Sequence, residues 1–225
     1  MKGRITFAAL AVLASAASAA PKTVGWNYEV NLGADGSHIM GNPAAPVKLA
    51  EYVSYTCPHC AQFTTESDGP LRIGYVSSGK VSIEVRHLLR DPIDLTVAML
   101  TNCGSKDKFF LNHSAFMRSQ STWIKPMMQS TKAQQQRWVS GTLAQRNRAI
   151  ATDFHFYAIM QSRGYDRLTT DKCLADQALA QRLGNQAKQG YALGVRSTPS
   201  FTINGRLLDA TNTWSELRPQ IDASM

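Results

Sequence analysis

The chain has 225 residues, of which 44% are hydrophobic and 18% are charged, with only 15 glycines and 9 prolines. This composition excludes a disordered, collagen-like or low-complexity protein. The formal charge is +8, but the basic residues are scattered and form no dense run, so we expect no binding to nucleic acid. Four cysteines are too few for a disulfide-scaffolded mini-protein, and a chain of this length can bury a sufficient core without them.

The first residues have the pattern of a cleavable export signal. Lys2 and Arg4 precede an apolar stretch over 5–14, and small side chains at 17–19 match the sites that signal peptidase cuts. The apolar stretch is shorter than the roughly 20 residues that span a bilayer, which leaves a membrane anchor as the lesser alternative. We therefore predict a signal peptide at 1–19 and a mature, monomeric protein in the oxidising periplasm.

The mature chain is predicted to open with a strand, a helix and a second strand. Residues 47–55 alternate with period two and are rich in β-branched and aromatic side chains, which is typical of a strand. Pro58 suits the first position of a helix, because its missing N–H would have no partner there. A turn at Ser78-Gly79 precedes a second alternating run over 81–86.

The pattern changes over 92–190, where apolar residues recur at helical spacing and no period-two run occurs. This predicts a block of several helices. One is capped by Asp94 and ends near Cys103-Gly104, another covers 142–160, and one or two more cover 170–193, with Gly164 and Gly184 as possible breaks. The dipeptide Asn204-Gly205 then predicts a β-hairpin, which a short final helix follows.

Cys57 and Cys60 are three residues apart at the expected start of the first helix. Both sulfurs therefore fall on one side of a turn, where they can form or open a disulfide with little backbone movement. At the N-cap, a Cys57 thiolate would accept backbone N–H groups and feel the positive end of the helix dipole, which lowers its pKa. A protonated His59 would act in the same direction. The pattern predicts a redox-active dithiol.

The alternative for this pair is half of a zinc site, which needs a second pair of ligands. Cys103 and Cys173 are too far apart in sequence to supply that pair, and the five histidines are isolated. We therefore expect no metal ion.

Glu51 is in phase with the apolar side chains of the predicted strand, so the pleat points its carboxyl toward a mostly apolar face. Burial without a cation raises the pKa of a carboxyl, which would let Glu51 exchange a proton with Cys60 during the reaction. The alternative is a carboxylate in water near the end of the sheet.

Together these motifs resemble the DsbA family of periplasmic thiol-disulfide oxidoreductases. The resemblance rests on Cys57-Pro58-His59-Cys60 between a strand and a helix, on the helical block, and on Ser197-Thr198-Pro199 leading into a hairpin strand. It implies an α/β protein with a thioredoxin fold, in two parts over 20–91 and 191–225, interrupted by an all-helical domain over 92–190.

The resemblance also implies roles for individual residues. Pro199 would be cis and face the disulfide, although most X-Pro bonds are trans and the sequence alone allows an ordinary strand-entry proline. Thr198 before it would tune the thiolate and contact the substrate, and the family carries an acid at the position of Glu51. Cys103, at the end of one expected helix, and Cys173, at the beginning of another, would form the extra disulfide of some alphaproteobacterial DsbA-like proteins; two buried free thiols are the alternative.

The implied activity is that of a dithiol-disulfide oxidase. An exposed Cys57 would form the mixed disulfide with reduced secreted proteins, Cys60 would resolve it, and a quinone-linked membrane partner of the DsbB type would reoxidise the pair. No organic cofactor is expected, because the disulfide itself carries the two electrons. A disulfide isomerase or reductase is the second hypothesis. Against an isomerase, the segment 20–46 is too short for the dimerisation domain that such relatives have, and His59 favours a stabilised thiolate. Thr198 leaves the hypothesis open, because the isomerase and reductase relatives also have threonine before the cis proline. A chaperone-like peptide-binding protein is the third.

Overall fold

A mixed β-sheet forms the centre of the protein, and the cysteine pair lies at the start of the helix that follows one of its strands. The computed structural model describes residues 25–225, so the signal peptide predicted at 1–19 lies outside the described residues. The strands are Val30–Leu32 (β1), His38–Met40 (β2), Val47–Val53 (β3), Val81–His87 (β4), Ser200–Ile203 (β5) and Arg206–Leu207 (β6). They lie in the order β1-β2-β4-β3-β5-β6, with β3 and β4 parallel and the other neighbours antiparallel.

Helices connect and cover these strands. Those outside the stretch between β4 and β5 are Pro58–Pro70 (α1), which a π-helix over Leu71–Tyr75 continues, and Trp214–Asp222 (α11). Those between β4 and β5 are Pro92–Thr101 (α2), Phe109–Arg118 (α3), Gln120–Trp123 (α4), Pro126–Gln129 (α5), Lys132–Val139 (α6), Leu143–Asp153 (α7), Phe156–Ser162 (α8), Arg167–Leu174 (α9) and Gln177–Ala192 (α10). Short 3₁₀ turns occur at Trp26–Tyr28, Val76–Ser78 and Lys106–Lys108. The helices therefore form the predicted block after β4, while the domain boundaries at 91 and 190 stay predictions.

The central strand β3 is buried on both faces. Every residue of β3 except Lys48 is buried, because helices cover the two sides of the sheet. On one face Tyr52 packs with Leu88 and Val195, and the opposite face joins the main core. Glu51 is on the main-core face, where β5 places the buried Phe201 beside it.

The helix predicted over 142–160 is two helices in the structure. His155 lies between α7 and α8 with a φ of 57°, in the left-handed region that ends a right-handed helix. The break lets both Phe154 and Phe156 reach the core, with ring centroids 5.5 Å apart. Residues two positions apart in one continuous helix would point to different sides. The stretch 170–193, predicted to form one or two helices, contains the end of α9 and all of α10. The division is at Asp176, which caps α10 by accepting the N–H of Leu179, whereas Gly184, a predicted possible break, lies within α10.

Asp94 does not cap α2, contrary to the prediction from sequence. Asp91 is the N-cap and accepts a hydrogen bond from the Asp94 N–H at 2.8 Å. The buried Asp94 carboxylate instead accepts the N–H of Tyr55 at 2.7 Å and the N–H of Arg90 at 3.1 Å. These bonds tie the segment after β3 to the segment after β4, where the cysteine pair and the groove beside it are built.

Candidate active site at the start of helix α1

Cys57 and Cys60 lie at the amino-terminal turn of α1 with both thiols free. Cys57 is the N-cap with extended backbone (φ −96°, ψ 115°), and Pro58 occupies the first helical position, as the sequence predicts. Cys60 is fully buried. Cys57 was expected to be exposed, yet only 3% of its surface is accessible. It lines a groove of about 460 Å³, through which a substrate sulfur would reach it.

The two thiols have opposite ionisation properties. The hydrogen bond with the Cys60 side chain is the main influence that lowers the pKa of Cys57, to about 5, and the Thr198 side chain lowers it further against the effect of burial. The backbone N–H groups of His59 and Cys60 also lower it, although neither reaches the geometry of a side-chain cap. Burial raises the pKa of Cys60 well above its ordinary value, and the hydrogen bond to Cys57 adds to that effect. At neutral pH the pair therefore holds one thiolate, Cys57, and one proton, on Cys60.

Thr198 and Pro199 lie against the Cys57 sulfur. The peptide bond between them is cis, as the family resemblance implies. In its thiol form, Cys57 Sγ donates to the carbonyl oxygen of Thr198 at 3.1 Å. Pro199 is buried, whereas Thr198 is partly exposed and lines the groove with Ser197. The backbone before the cis proline thus borders the space in front of the reactive sulfur.

Glu51 points into the protein, as predicted, and not into water. It is buried, and its Oε1 has no hydrogen-bond partner among residues 25–225. Burial, together with the negative charge of Asp68, raises the pKa of Glu51 to about 8. The carboxyl lines a cavity of about 30 Å³ that Asp68 and His113 also line. A cavity of this size holds about one water molecule, which would satisfy the free oxygen.

Sequence reasoning missed two arginines in the groove. Arg90 follows β4, Arg196 precedes the cis proline, and both are exposed beside the reactive sulfur. His59, the predicted neighbour of the thiolate, is also exposed there. The principal groove residues are Cys57, His59, Arg90, Tyr191, Arg196 and Thr198.

Gln120 is a second residue that the sequence did not identify. Its side chain is buried, and Nε2 donates to the carbonyl oxygens of Tyr55 at 2.6 Å and of Cys57 at 2.9 Å. Because Gln120 begins α4, a helix of the inserted block directly supports the turn that carries the cysteine. The sequence did not predict this contact, because a glutamine in a polar helical stretch is not distinguished from its neighbours by any motif.

Cys103 and Cys173 form a disulfide, with their Cα atoms 5.6 Å apart. Cys103 follows α2 and is buried, while Cys173 lies near the end of α9 and not at a helix start. The bridge therefore ties together two helices of the inserted block and leaves Cys57 and Cys60 as the free pair.

Two further properties concern the part of the chain that the structure describes. Among residues 25–225, no group of three or more His, Cys, Asp or Glu side chains is arranged to hold a metal ion. None of the helices there combines the length and the apolar character that crossing a membrane requires.

Comparison with known proteins places this geometry in a family. A family model described as thioredoxin matches residues 34–223, which is most of the chain. The chain belongs to the thioredoxin family. A solved structure of a protein-disulfide isomerase from Novosphingobium aromaticivorans is 55% identical, with a TM-score of 0.81 over 84% of this chain and 97% of that one.

More distant relatives agree with the DsbA resemblance. The structure of alpha-DsbA1 from Wolbachia pipientis is 21% identical and shares the fold, with a TM-score of 0.63 over 85% of this chain and 92% of that chain. A protein of Rickettsia felis named "Putative protein-disulfide oxidoreductase" is 31% identical over 76% of this chain and 54% of its own length. The chain spans about half the length of the curated relatives it matches.

These likenesses confirm the predicted fold class, a thioredoxin fold with an inserted helical block, and the predicted resemblance to DsbA. The relatives are a protein-disulfide isomerase and proteins named putative protein-disulfide oxidoreductases, and the fold is the one that the DsbA structure has.

Proposed function

We propose that this protein is a periplasmic dithiol-disulfide oxidase that introduces disulfide bonds into reduced secreted proteins. The observation that supports an oxidase is the difference between the two thiols, with the pKa of Cys57 lowered to about 5 and that of Cys60 raised well above its usual range. A stabilised thiolate lowers the free energy of the reduced pair, so the disulfide form is a strong oxidant.

The reaction follows from the positions of the two sulfurs. A substrate thiolate attacks Sγ of Cys57 in the Cys57–Cys60 disulfide, which forms the mixed disulfide and releases Cys60 as a thiolate that takes up a proton. A second substrate thiolate then attacks the substrate sulfur of the mixed disulfide. The substrate leaves with a new disulfide, Cys57 leaves as a stable thiolate, and the protein has gained two electrons. The low pKa of Cys57 makes it the better leaving group in this last step.

Glu51 is proposed to handle the proton of Cys60. Its raised pKa, about 8, means that it carries a proton at neutral pH and can give it to the Cys60 thiolate as that thiolate forms. Once Glu51 has given up this proton, its negative charge is among the influences that raise the pKa of Cys60, which helps to keep the proton on Cys60. A water in the cavity beside Glu51 would restore the proton.

The reduction potential of the Cys57–Cys60 pair tests the direction of electron flow. It is measured by equilibrating the protein with mixtures of reduced and oxidised glutathione. DsbA has a potential of about −120 mV and thioredoxin about −270 mV. A value above about −180 mV supports the oxidase, and a value near −270 mV contradicts it and makes the protein a reductase.

A disulfide isomerase is the second candidate. It is favoured by the similarity to the Novosphingobium protein, which is called a protein-disulfide isomerase and is 55% identical to this chain. Reactivation of ribonuclease with scrambled disulfides, compared with oxidation of fully reduced ribonuclease, separates the two activities. When the protein is supplied in its oxidised form, an oxidase accelerates the second reaction and not the first, because only a reduced Cys57 can attack a wrong disulfide.

A chaperone-like peptide-binding protein is the candidate of another class. The double variant Cys57→Ser/Cys60→Ser distinguishes it, because a chaperone would still suppress aggregation of an unfolding client. We expect this variant to lose oxidase activity completely. The variant Cys103→Ser/Cys173→Ser is the matched control, since it removes two cysteines of the same chain but leaves the reactive pair in place.

The cellular setting is also part of the proposal. Cleavage after Ala19 would release the protein into the periplasm, which amino-terminal sequencing of a periplasmic fraction tests. A quinone-linked membrane protein of the DsbB type would reoxidise the pair, and no metal or organic cofactor is needed. Membranes that contain such a partner should reoxidise the reduced protein only when quinone is present, and should fail with Cys57→Ser.

A further inference from the structure

The groove beside Cys57 contains positive charge that thiol-disulfide exchange itself does not use. Arg90, in the segment after β4, and Arg196, in the segment before the cis proline, both line the groove. Among residues 25–225, neither arginine forms an ion pair with a carboxylate, although other arginines do. The two cations are therefore available to a group that enters the groove.

Arg196 is held in a fixed orientation. Its Nη1 donates to the carbonyl oxygens of Tyr191 at 2.6 Å and of Val195 at 3.0 Å. Nε and Nη2 form no hydrogen bond with any of residues 25–225, so one complete edge of the guanidinium remains free. That edge matches the two oxygens of a carboxylate, which accepts two parallel hydrogen bonds from a planar guanidinium.

Arg90 is positioned through its backbone. The buried carboxylate of Asp94 accepts the Arg90 N–H at 3.1 Å, while the Arg90 side chain forms no hydrogen bond within 25–225. The neighbouring Asp91 is occupied, because its two oxygens accept the Thr56 hydroxyl at 2.6 Å and the Asp94 N–H at 2.8 Å. No carboxylate residue within 25–225 lines the groove.

We infer that Arg90 and Arg196 form a subsite for a carboxylate side chain of the substrate, so that the protein prefers cysteines that have an aspartate or glutamate next to them. Thr198, two residues after Arg196, presents the backbone beside which a substrate segment would lie in extended form. A side chain within one or two positions of the substrate cysteine then reaches the arginines. The inference rests on the proposed thiol-disulfide exchange at Cys57 and adds its substrate class.

Two peptides test this inference. Each has a single cysteine and blocked ends; one has glutamate on both sides of the cysteine and the other has glutamine, so that the side-chain carboxylates are the only difference. The second-order rate of attack on the oxidised protein is measured for both. Each rate is divided by the rate of the same peptide with the uncharged dipyridyl disulfide, because neighbouring glutamates also change the reactivity of the peptide thiol.

We expect the corrected rate of the glutamate peptide to be about fivefold higher at about 20 mM salt, and the preference to fall below about twofold at about 500 mM salt. In Arg90→Gln/Arg196→Gln the ratio of the two rates should fall to about one. Arg196→Lys should retain part of the preference, because it keeps the charge but loses the second hydrogen bond.

A matched control is available in the helical block. Arg146 Nη1 donates to the carbonyl of Gly141 at 2.7 Å, five residues earlier, as Arg196 does to Tyr191. Lys132→Gln/Arg146→Gln removes the same charge from two residues that do not line the groove, and it should leave the ratio at about five.

The outcomes separate the subsite from the proposed function. If neither peptide reacts with the wild-type disulfide, the exchange itself fails and the subsite with it. If both peptides react equally, or if the preference persists in Arg90→Gln/Arg196→Gln, the subsite is wrong and the exchange stands. Should the double variant not fold, the salt dependence of the wild-type ratio decides: a ratio of five that does not change with salt contradicts recognition by charge.

Discussion

Gln120 donates a hydrogen bond from Nε2 to the carbonyl oxygen of Cys57 at 2.9 Å. The same nitrogen donates to Tyr55 O, so one buried amide from the helical block satisfies two carbonyls of the segment that leads into α1. The inserted block therefore does more than cover the sheet, because it fixes the turn on which the reactive sulfur stands.

We predict that Gln120→Leu lowers the free energy of unfolding by about 1–3 kcal/mol, because the Tyr55 carbonyl loses the Gln120 donor and the Cys57 carbonyl keeps only the longer bond from the Ala61 N–H, at 3.3 Å. Urea unfolding measures the change. Gln135→Leu is the control, because that glutamine is exposed and its side chain forms a hydrogen bond only with Ser130 among residues 25–225, so its effect should stay within about 0.5 kcal/mol. If the two variants lose the same free energy of unfolding, the hydrogen bonds from Gln120 to the Tyr55 and Cys57 carbonyls contribute no more to stability than an exposed side chain does.

The low pKa of Cys57 predicts that the stability of the reduced protein depends on pH. The folded-state pKa, about 5, is below that of an unfolded thiol, so the contribution is complete above about pH 8.5 and is lost as the pH falls through 5. At pH 7 it is on the order of 2 kcal/mol, after allowance for solvent screening. Urea unfolding of the reduced and the oxidised protein measures this effect. From pH 5 to pH 8 the free energy of unfolding of the reduced form should rise relative to that of the oxidised form.

Replacing Cys60 tests the cause of that low pKa. The hydrogen bond with the Cys60 side chain is the largest influence on Cys57, so Cys60→Ala should move the thiolate titration to higher pH. Thiolate absorbance in the ultraviolet follows the titration. A midpoint that stays near 5 would assign the effect to Thr198 and the helix N–H groups instead.

Local patterns in the sequence predict the β3-α1-β4 unit and the β5-β6 hairpin correctly. Alternation marks the strands, Pro58 marks the start of α1, and the hairpin turn uses Asn204 and Gly205 with φ of 51° and 80°. The β1-β2 hairpin was missed, because each strand has three residues and its place depends on pairing with β4. A pattern of period two needs a longer run to be recognised.

The site residues also divide into those that local sequence predicts and those that long-range contacts determine. Cys57, Cys60 and Glu51 are adjacent to a motif or in phase with a strand, so their positions follow from local sequence. Arg90 and Arg196 are brought to one groove by the pairing of distant strands, and nothing in the sequence near either residue indicates that contact. The topology of the sheet, and not the residue type, brings these two arginines into the site.

The Cys103–Cys173 disulfide should stabilise the helical block. It joins residues 70 positions apart, and the loss of chain entropy in the unfolded state corresponds to about 4 kcal/mol as an upper figure. We expect Cys103→Ala/Cys173→Ala to lower the free energy of unfolding by about 2–4 kcal/mol. The comparison is with Cys57→Ala/Cys60→Ala in the same buffer at pH 5, where the Cys57 thiolate contributes little to stability, and that variant should lack this loss. An unchanged stability would mean that the unfolded chain gains little freedom when the bridge is removed.

Glu51 gives a prediction in which stability and activity change in opposite directions. Its folded-state pKa of about 8 is above that of an unfolded carboxyl, so its contribution to stability is complete below about pH 4.5 and is lost as the pH rises through 8. Glu51→Gln removes that pH dependence and should raise the free energy of unfolding by on the order of 3 kcal/mol at pH 7, with no gain at pH 4.

The same variant should slow the reaction by about tenfold or more, because no group remains to give a proton to Cys60 as its thiolate forms. Stopped-flow oxidation of a reduced peptide measures the rate, and Glu66→Gln, which removes an exposed carboxyl on α1, is the control. A variant that is both more stable and slower identifies Glu51 as a group kept for the reaction at a cost in stability. If Glu51→Gln loses stability at pH 7 instead, the carboxyl has a structural role, and the proton of Cys60 must travel by another route.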